Sequence, residues 1–306
     1  MQKESPVHVH LLHNPKAGDQ DHVKAELIKI VESRGFTCQY ALIKDKGWKR
    51  FKSKTALVVV VGGDGTVREV IRKLLNRKLL DKPLAVSLIP SGTANNFAKT
   101  LGVSSELKDF ERCLSSWKTI KVDIGAISNL RDTPFFIEGL GCGLIPKLIK
   151  KMKDTDLSAA DTADKELNTA LEKLAEIAKT YRAKRAKIVI DGMVYEDDYL
   201  LVEVLNIKSV GPNLVLAPKA DPTDNKFEVV LLRNADRETF TEYVHGLYNS
   251  VGGQRLKTPW EIVTATREIT IQCDNRLMHV DDELVSISKG KKITIAIRPG
   301  IVDFIA

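Results

Sequence analysis

The sequence predicts an α/β protein: a mostly parallel sheet with helices on both faces, followed by a β-rich, largely antiparallel part. Three observations carry this expectation. Apolar runs alternate with stretches of helical spacing through the first part of the chain. Polar and glycine-rich loops follow those runs at 14–18, 62–66 and 91–96, where open parallel sheets bind ligands. Beyond Ile120, short strands dominate and helix is sparse. A chain of 306 residues exceeds most single cores, so two domains are expected, 1–125 and 126–306, with packing of the C-terminal tail on the first domain left open.

Val7 to Leu12 reads as the first strand, and Asn14-Pro15-Lys16-Ala17-Gly18 as a turn or ligand loop. Val23, Leu27, Ile30 and Val31 line one helix face, and Phe36 to Ile43 forms the next strand. His8, His10 and His13 are read as one face of the first strand, without a metal-ligand spacing. Lys44 to Lys54 is a basic run around Trp48 and Phe51, read as a solvated face. The stretch Ala56–Leu75 organises the rest. It opens as an apolar strand, breaks at Gly62-Gly63-Asp64-Gly65, and resumes at helical spacing with Val67, Val70, Ile71, Leu74 and Leu75. Thr66 with Glu69 matches a capping box and predicts the helix start there. Glycines permit close approach and positive φ, and free amides at a helix start favour phosphate. Asp64 fits such a loop if it meets Mg²⁺ or a hydroxyl.

Ala85 to Ile89 is the next strand, followed by Pro90-Ser91-Gly92-Thr93-Ala94-Asn95-Asn96-Phe97-Ala98 at the start of a helix. Ile120 to Gly125 is a strand leaving the first domain, and Phe135 to Ile145, with Gly139, Gly141 and Gly143, is a tightly packed segment. A polar stretch precedes a helix over Lys165–Arg182, striped by Leu167, Leu171, Leu174, Ala178 and Tyr181. Strands follow at Ala186–Ile190, Tyr199–Leu205, Leu214–Ala217 and Glu228–Leu232, then a helix using Phe240, Val244 and Leu247. The last strands are Glu268–Cys273, Leu277–Val280, Lys292–Ile297 and Ile301–Ile305.

The formal charge of +7 suits an anionic membrane surface or a phosphorylated substrate. No reading helix or aromatic stacking motif is present, so nucleic acid is not an expected partner. No run of about 18 apolar residues predicts a membrane span, and no secretory signal is read at the N-terminus. Cys38, Cys113, Cys142 and Cys273 are scattered, which fits thiols in a reducing cytosol.

Taken together in order, these loops resemble the diacylglycerol kinase catalytic family, which includes sphingosine and ceramide kinases and bacterial single-chain lipid kinases. The resemblance rests on Asn14–Gly18, Gly62–Thr66, Pro90–Ala98, Val122-Asp123, Leu216-Ala217-Pro218 with Ala220 and Asp224, and Asp281-Asp282-Glu283. It implies a three-layer α/β domain, a β-sandwich-like second domain and a cleft between them. Three departures stand out: Asn96 and Asp282 replace the usual aspartate and glycine, and Thr223-Asp224-Asn225 replaces a metal-loop Asp-Asp-Gly.

The implied reaction transfers the ATP γ-phosphate to a lipid hydroxyl, diacylglycerol first, with Mg²⁺. Sphingoid and other lipid alcohols, an NAD-kinase-like metabolite kinase and a non-catalytic sensor are the alternatives. Asn14, Lys16, Gly62, Gly63, Gly65, Thr66, Gly92, Thr93 and Asn95 are expected at the nucleotide. Asp64 and Asp123 are expected at the metal, with Asp64 also catalytic. Asp281 is the expected general base, oriented by Glu283. A cytoplasmic protein touching anionic membranes peripherally, and capable of forming a homodimer, completes the expectation.

Overall fold

The computed structural model describes residues 7–14, 20–52, 54–75, 84–130, 132–156, 162–249 and 258–306. It divides into two compact units, Met1–Val122 with Gly300–Ala306, and Asp123–Pro299. The chain thus leaves the first unit slightly before the expected boundary at 125/126 and returns to it for the last residues.

The first unit contains β1 (His8–His13), α1 (Gln20–Ser33), β2 (Thr37–Leu42), β3 (Thr55–Gly62), α2 (Asp64–Leu75), β4 (Ala85–Pro90), α3 (Asn96–Leu101) and α4 (Leu107–Ser116). β1 pairs in parallel with β2 and β3, and β3 with β4. Val9, Leu11, Leu57, Val59 and Val61 pack one sheet face against Leu27 and Val31 of α1 and Phe110 and Leu114 of α4. The alternate residues Val58 and Val60 are equally buried, and α2 packs on β3, so both faces are covered. Strand alternation also separates the histidines. His8 and His10 share a face, while His13 falls on the other, bonding Tyr40 Oη through Nδ1 at 2.8 Å. In the basic run Trp48 is buried and the lysines are exposed, as a solvated face requires.

β5 (Thr119–Ser128) leads into the second unit, which continues with β6 (Phe135–Phe136), β7 (Gly139–Gly143), α5 (Leu144–Lys153), α6 (Ala163–Thr180), β8 (Lys184–Ile190) and β9 (Met193–Leu205). Then come β10 (Ser209–Val210), β11 (Leu214–Val215), β12 (Phe227–Arg233), α7 (Arg237–Asn249), β13 (Glu261–Ala265), β14 (Glu268–Cys273), β15 (Leu277–Val280), β16 (Glu283–Ser286) and β17 (Lys292–Ile305). The ladders among β7, β8, β9, β12, β13, β14, β15 and β16 are antiparallel. β9 is buried on both faces over Tyr199–Leu205. Val202 and Val204 enter a core with Ile188, Val229, Ile271 and Ile295. Leu201 and Leu205 enter another beneath α5, α6 and α7.

Several elements differ from expectation. The helix expected over Lys165–Arg182 begins at Ala163, because Thr162 Oγ1 accepts from Lys165 N at 3.3 Å and caps it. α4, α5, β13 and β16 were not expected from the sequence. The last two expected strands are one, β17, which runs through Pro299-Gly300. Its start pairs with β14, and its Phe304 pairs in parallel with Val86 of β4. On α7, Tyr243 joins Phe240 and Val244 in the core, whereas Leu247 is 36% exposed. Among the described residues no helix is long and apolar enough to cross a membrane.

Candidate active site

In the first unit the candidate site lies where two loops touch backbone to backbone. A Cβ added at Gly92 would stand 2.6 Å from Gly63 Cα, and one at Gly63 would stand 3.0 Å from Gly92 Cα. A Cβ at Gly62 would run into Thr66, 2.7 Å from its Oγ1. None of Gly62, Gly63 and Gly92 has a positive φ. The expected left-handed conformation is therefore not the reason for glycine here; close approach is. Ser91 N donates to Gly62 O at 3.1 Å and fastens the two loops.

Asp64 opens α2 and reaches into the neighbouring loop. Its Oδ2 accepts from Asn96 N at 2.9 Å and its Oδ1 from Phe97 N at 3.2 Å. These are the first amides of α3, so this carboxylate caps a six-residue helix that has no cap from its own side chains. Asn95, the left-handed residue before α3 at φ 52°, closes its own turn instead. Gly92 N donates to its Oδ1 at 3.0 Å, and its Nδ2 donates to Gly92 O at 2.6 Å. Asn14 Nδ2 donates to Thr66 Oγ1 at 2.9 Å, tying the end of β1 to α2. The expected capping box does not form. Gly63 O accepts from Thr66 N at 2.9 Å and Val67 N at 3.2 Å, so Gly63 is the cap. Glu69 turns away to Lys49, at 2.9 Å, and to Arg72.

The second unit gathers its carboxylates around the segment 137–139. Asp281 is 6% exposed and left-handed at φ 52°. Its Oδ1 accepts from Ile137 N at 3.2 Å, Glu138 N at 2.9 Å and Gly139 N at 3.2 Å, and its Oδ2 from Ile137 N at 3.3 Å. Asn206 binds the same segment. Its Nδ2 donates to Ile137 O at 2.8 Å and to Asp123 O at 2.9 Å, while its N donates to Glu138 O at 2.8 Å. The Asp123 carboxylate accepts from Asn225 N at 2.7 Å, and Asn225 is left-handed at φ 61°. Asp123 and Asp281 thus belong to one hydrogen-bonded network, through Asn206 and 137–139. Glu283 begins β16 and lines a groove of about 720 Å³ with Leu130, Leu284, Val285, Lys291 and Lys292.

The remaining expectations are placed as follows. Thr93 is half-buried between β4 and α3, and Gly65 is exposed in the first turn of α2. Lys16 lies outside the described residues, as does the Val23 side chain. Sequence reasoning missed Asn206, and it missed Glu203 with His279, a fully buried pair 2.7 Å apart. Burial raises the Glu203 carboxyl above its usual range. Burial alone would lower His279, but the adjoining Glu203 carboxylate lifts it above the ordinary histidine value. The signal available was a lone Glu inside Leu200–Leu205 and a lone His inside Leu277–Val280. Among the described residues no three His, Cys, Asp or Glu side chains are grouped as a metal cage. A carboxylate such as Asp64 still suits Mg²⁺ carried on nucleotide phosphates, which needs one or two protein oxygens.

Comparison with known proteins agrees with this architecture. Residues 8–127 match the diacylglycerol kinase catalytic domain, and 154–306 match the YegS C-terminal NAD kinase beta sandwich-like domain. A diacylglycerol kinase of Bacillus subtilis (strain 168) is 24% identical over 302 residues, covering 93% of this chain and 92% of its own. The crystal structure of a diacylglycerol kinase from Bacillus anthracis superposes with a TM-score of 0.71 at 24% identity, over 99% of this chain and 98% of that one. An NAD kinase from Archaeoglobus fulgidus in complex with ATP shares the fold more distantly, with a TM-score of 0.52 at 12% identity over 98% and 93% of the two chains. With both halves of the chain matched in order, it belongs to the diacylglycerol kinase catalytic family of lipid-kinase-type phosphotransferases.

Proposed function

We infer that this protein transfers the γ-phosphate of MgATP to a lipid hydroxyl, with diacylglycerol as the acceptor to test first. The observation that carries this reading is the Gly63–Gly92 crossing, with Asp64 held on α3 beside it. Such a loop pair offers backbone amides and one fixed carboxylate to a magnesium-bearing triphosphate. In this reading Gly62, Gly63, Gly65 and Gly92 let the backbone approach the phosphates. Asn14, Thr66, Thr93 and Lys16 supply polar contacts, and Asn95 shapes the loop. Asp64 meets Mg²⁺ on the nucleotide, while Asp123 orders the loop around Asn225.

Asp281 is assigned to the acceptor hydroxyl. Three backbone amides fix the orientation of its carboxylate, and its work as general base is to accept the hydroxyl's hydrogen bond and then its proton. Phosphoryl transfer asks for little more, because the bond to the leaving group breaks early. Glu283 and the groove beside it, where Asp132, Thr133, Ser286 and two lysines stand among Leu130, Leu284 and Val285, suit the polar head of an acceptor and the start of its apolar chains. The +7 charge supports brief docking on an anionic membrane surface.

The deciding experiment supplies radiolabelled ATP with diacylglycerol, sphingosine, monoacylglycerol or NAD, with and without anionic vesicles. Label in phosphatidic acid, increased by the vesicles, is expected. Label in NAD alone, or in no product, would remove the lipid-kinase reading, and indifference to vesicles would remove membrane docking.

A further inference from the structure

The buried pair Glu203–His279 has no part in the roles above, yet it is built into the same segment. β7 lies between β15 and β9, with Gly141 opposite His279 on one side and Glu203 on the other. Having no side chain, Gly141 lets the two reach each other above it. A Cβ there would stand 2.1 Å from the Glu203 carboxyl. The side chains are 1% and 0% exposed, and His279 Nε2 lies 2.7 Å from Glu203 Oε2. The other Glu203 oxygen, Oε1, has no hydrogen-bond partner among the described residues. The second ring nitrogen of His279, Nδ1, lies 2.8 Å from the backbone O of Asp281.

A carbonyl oxygen only accepts, so Nδ1 carries a proton. One further proton then lies between Nε2 and Glu203, whether the pair is imidazolium and carboxylate or imidazole and carboxylic acid. The bond from Nδ1 falls on a residue whose backbone is left-handed, a conformation that an aspartate needs help to keep. From that backbone the Asp281 side chain turns onto the amides of 137–139.

We propose that Glu203 and His279 are positioning residues for Asp281, their shared proton fixing His279 so that Nδ1 holds the left-handed turn that seats the Asp281 carboxylate on Ile137, Glu138 and Gly139. The catalytic consequence rests on the lipid-kinase reading; the structural one does not.

The test therefore pairs hydrogen exchange with kinetics. His279→Leu strands a buried carboxylate and loses stability for that reason alone, so Glu203→Leu/His279→Leu is the informative variant, since two apolar side chains can replace a buried ion pair without loss of folding. It is expected to melt like the wild type, to exchange the amides of 137–139 at least tenfold faster, and to lose about tenfold in kcat with KM for ATP unchanged. Glu203→Gln can donate to Nε2 of a neutral imidazole and leave Nδ1–H on Asp281, so it is expected to keep those amides protected. Nitrogen-15 spectra of His279 are expected to show a protonated Nδ1. Unchanged exchange at 137–139 in the folded double variant, or an unprotonated Nδ1, overturns the proposal. Faster exchange in a protein whose wild type phosphorylates no lipid leaves the positioning pair standing and removes only the kinase reading.

Discussion

Substitution of Gly92 by alanine tests the loop crossing directly. The new Cβ would lie 2.6 Å from Gly63 Cα, 3.0 Å from Asn95 Oδ1 and 3.3 Å from Gly63 N. Carbon atoms in contact sit about 3.5–4.0 Å apart, so the loops must part by about 1 Å. No rotamer relieves a backbone-on-backbone clash. Asp64 travels with the Gly63 loop, and Asn96 and Phe97 with the Gly92 loop. Bonds now at 2.9 and 3.2 Å would open beyond hydrogen-bond range. Overpacking of this kind costs about 1–3 kcal/mol, and a 1 Å misplacement of reacting groups costs about 10²-fold in rate. Gly35→Ala is the control. Gly35 has φ +76°, and no described atom lies within 4 Å of where the alanine methyl would sit, so the substitution meets backbone strain without a clash. Thermal melts and steady-state kinetics in ATP are the assay. Gly92→Ala should lose both stability and turnover, and Gly35→Ala stability alone. Equal loss of turnover in both, or wild-type behaviour in Gly92→Ala, would refute the close-approach argument.

Other outcomes follow from the same geometry. Asp64→Asn keeps the shape but replaces one acceptor with a donor facing an amide, so it should cost about 2 kcal/mol in chemical denaturation and suppress phosphotransfer far more. Asn206→Leu leaves the carbonyls of Asp123 and Ile137 buried without their donor, and should lower stability by about 1–3 kcal/mol per group left unpaired. His10 is buried, and burial, with His8 and Lys52 nearby, lowers its pKa from 6.5 to about 4. The unfolded chain then binds the proton first, so stability should fall as pH drops from 6.5 to about 4. His10→Phe should flatten that fall in denaturant titrations across the range; an unchanged slope would show that another group is responsible.

The parts of this molecule legible in the sequence are those with local causes. A β-branched run ending in glycines and resuming at helical spacing can only be strand, loop and helix, and β3–α2 is that. α5 was hidden because it begins at Leu144, directly after Gly143, with no polar interval to announce it. α4 is short, and it shows only Phe110 and Leu114 on its buried face. The capping box misled because Thr66 and Glu69 satisfy the pattern, while Gly63, three residues before Thr66, already accepts the helix's opening amide bonds. Asp64 stood out as a carboxylate in a glycine loop, but its hold on α3 joins residues more than thirty positions apart. Glu203, His279 and Asn206 were illegible for the same reason. Each is a single polar letter in an apolar run, and its meaning lies on a different strand.

The return of the chain to its starting unit gives this architecture an unusual covalent logic. Asp123–Pro299 is an insertion, in sequence, between two pieces of one parallel sheet. A fragment ending at Val122 would lack Phe304 and Ile305, and so would leave the β4 edge of its sheet unpaired at Val86, an invitation to self-association. A short peptide carrying the last seven residues should be able to dock in trans and rescue such a fragment. One cut between Val122 and Asp123 would therefore not release two independent halves: residues 300–306 are a staple, and losing them would be felt more than two hundred positions earlier, at β4.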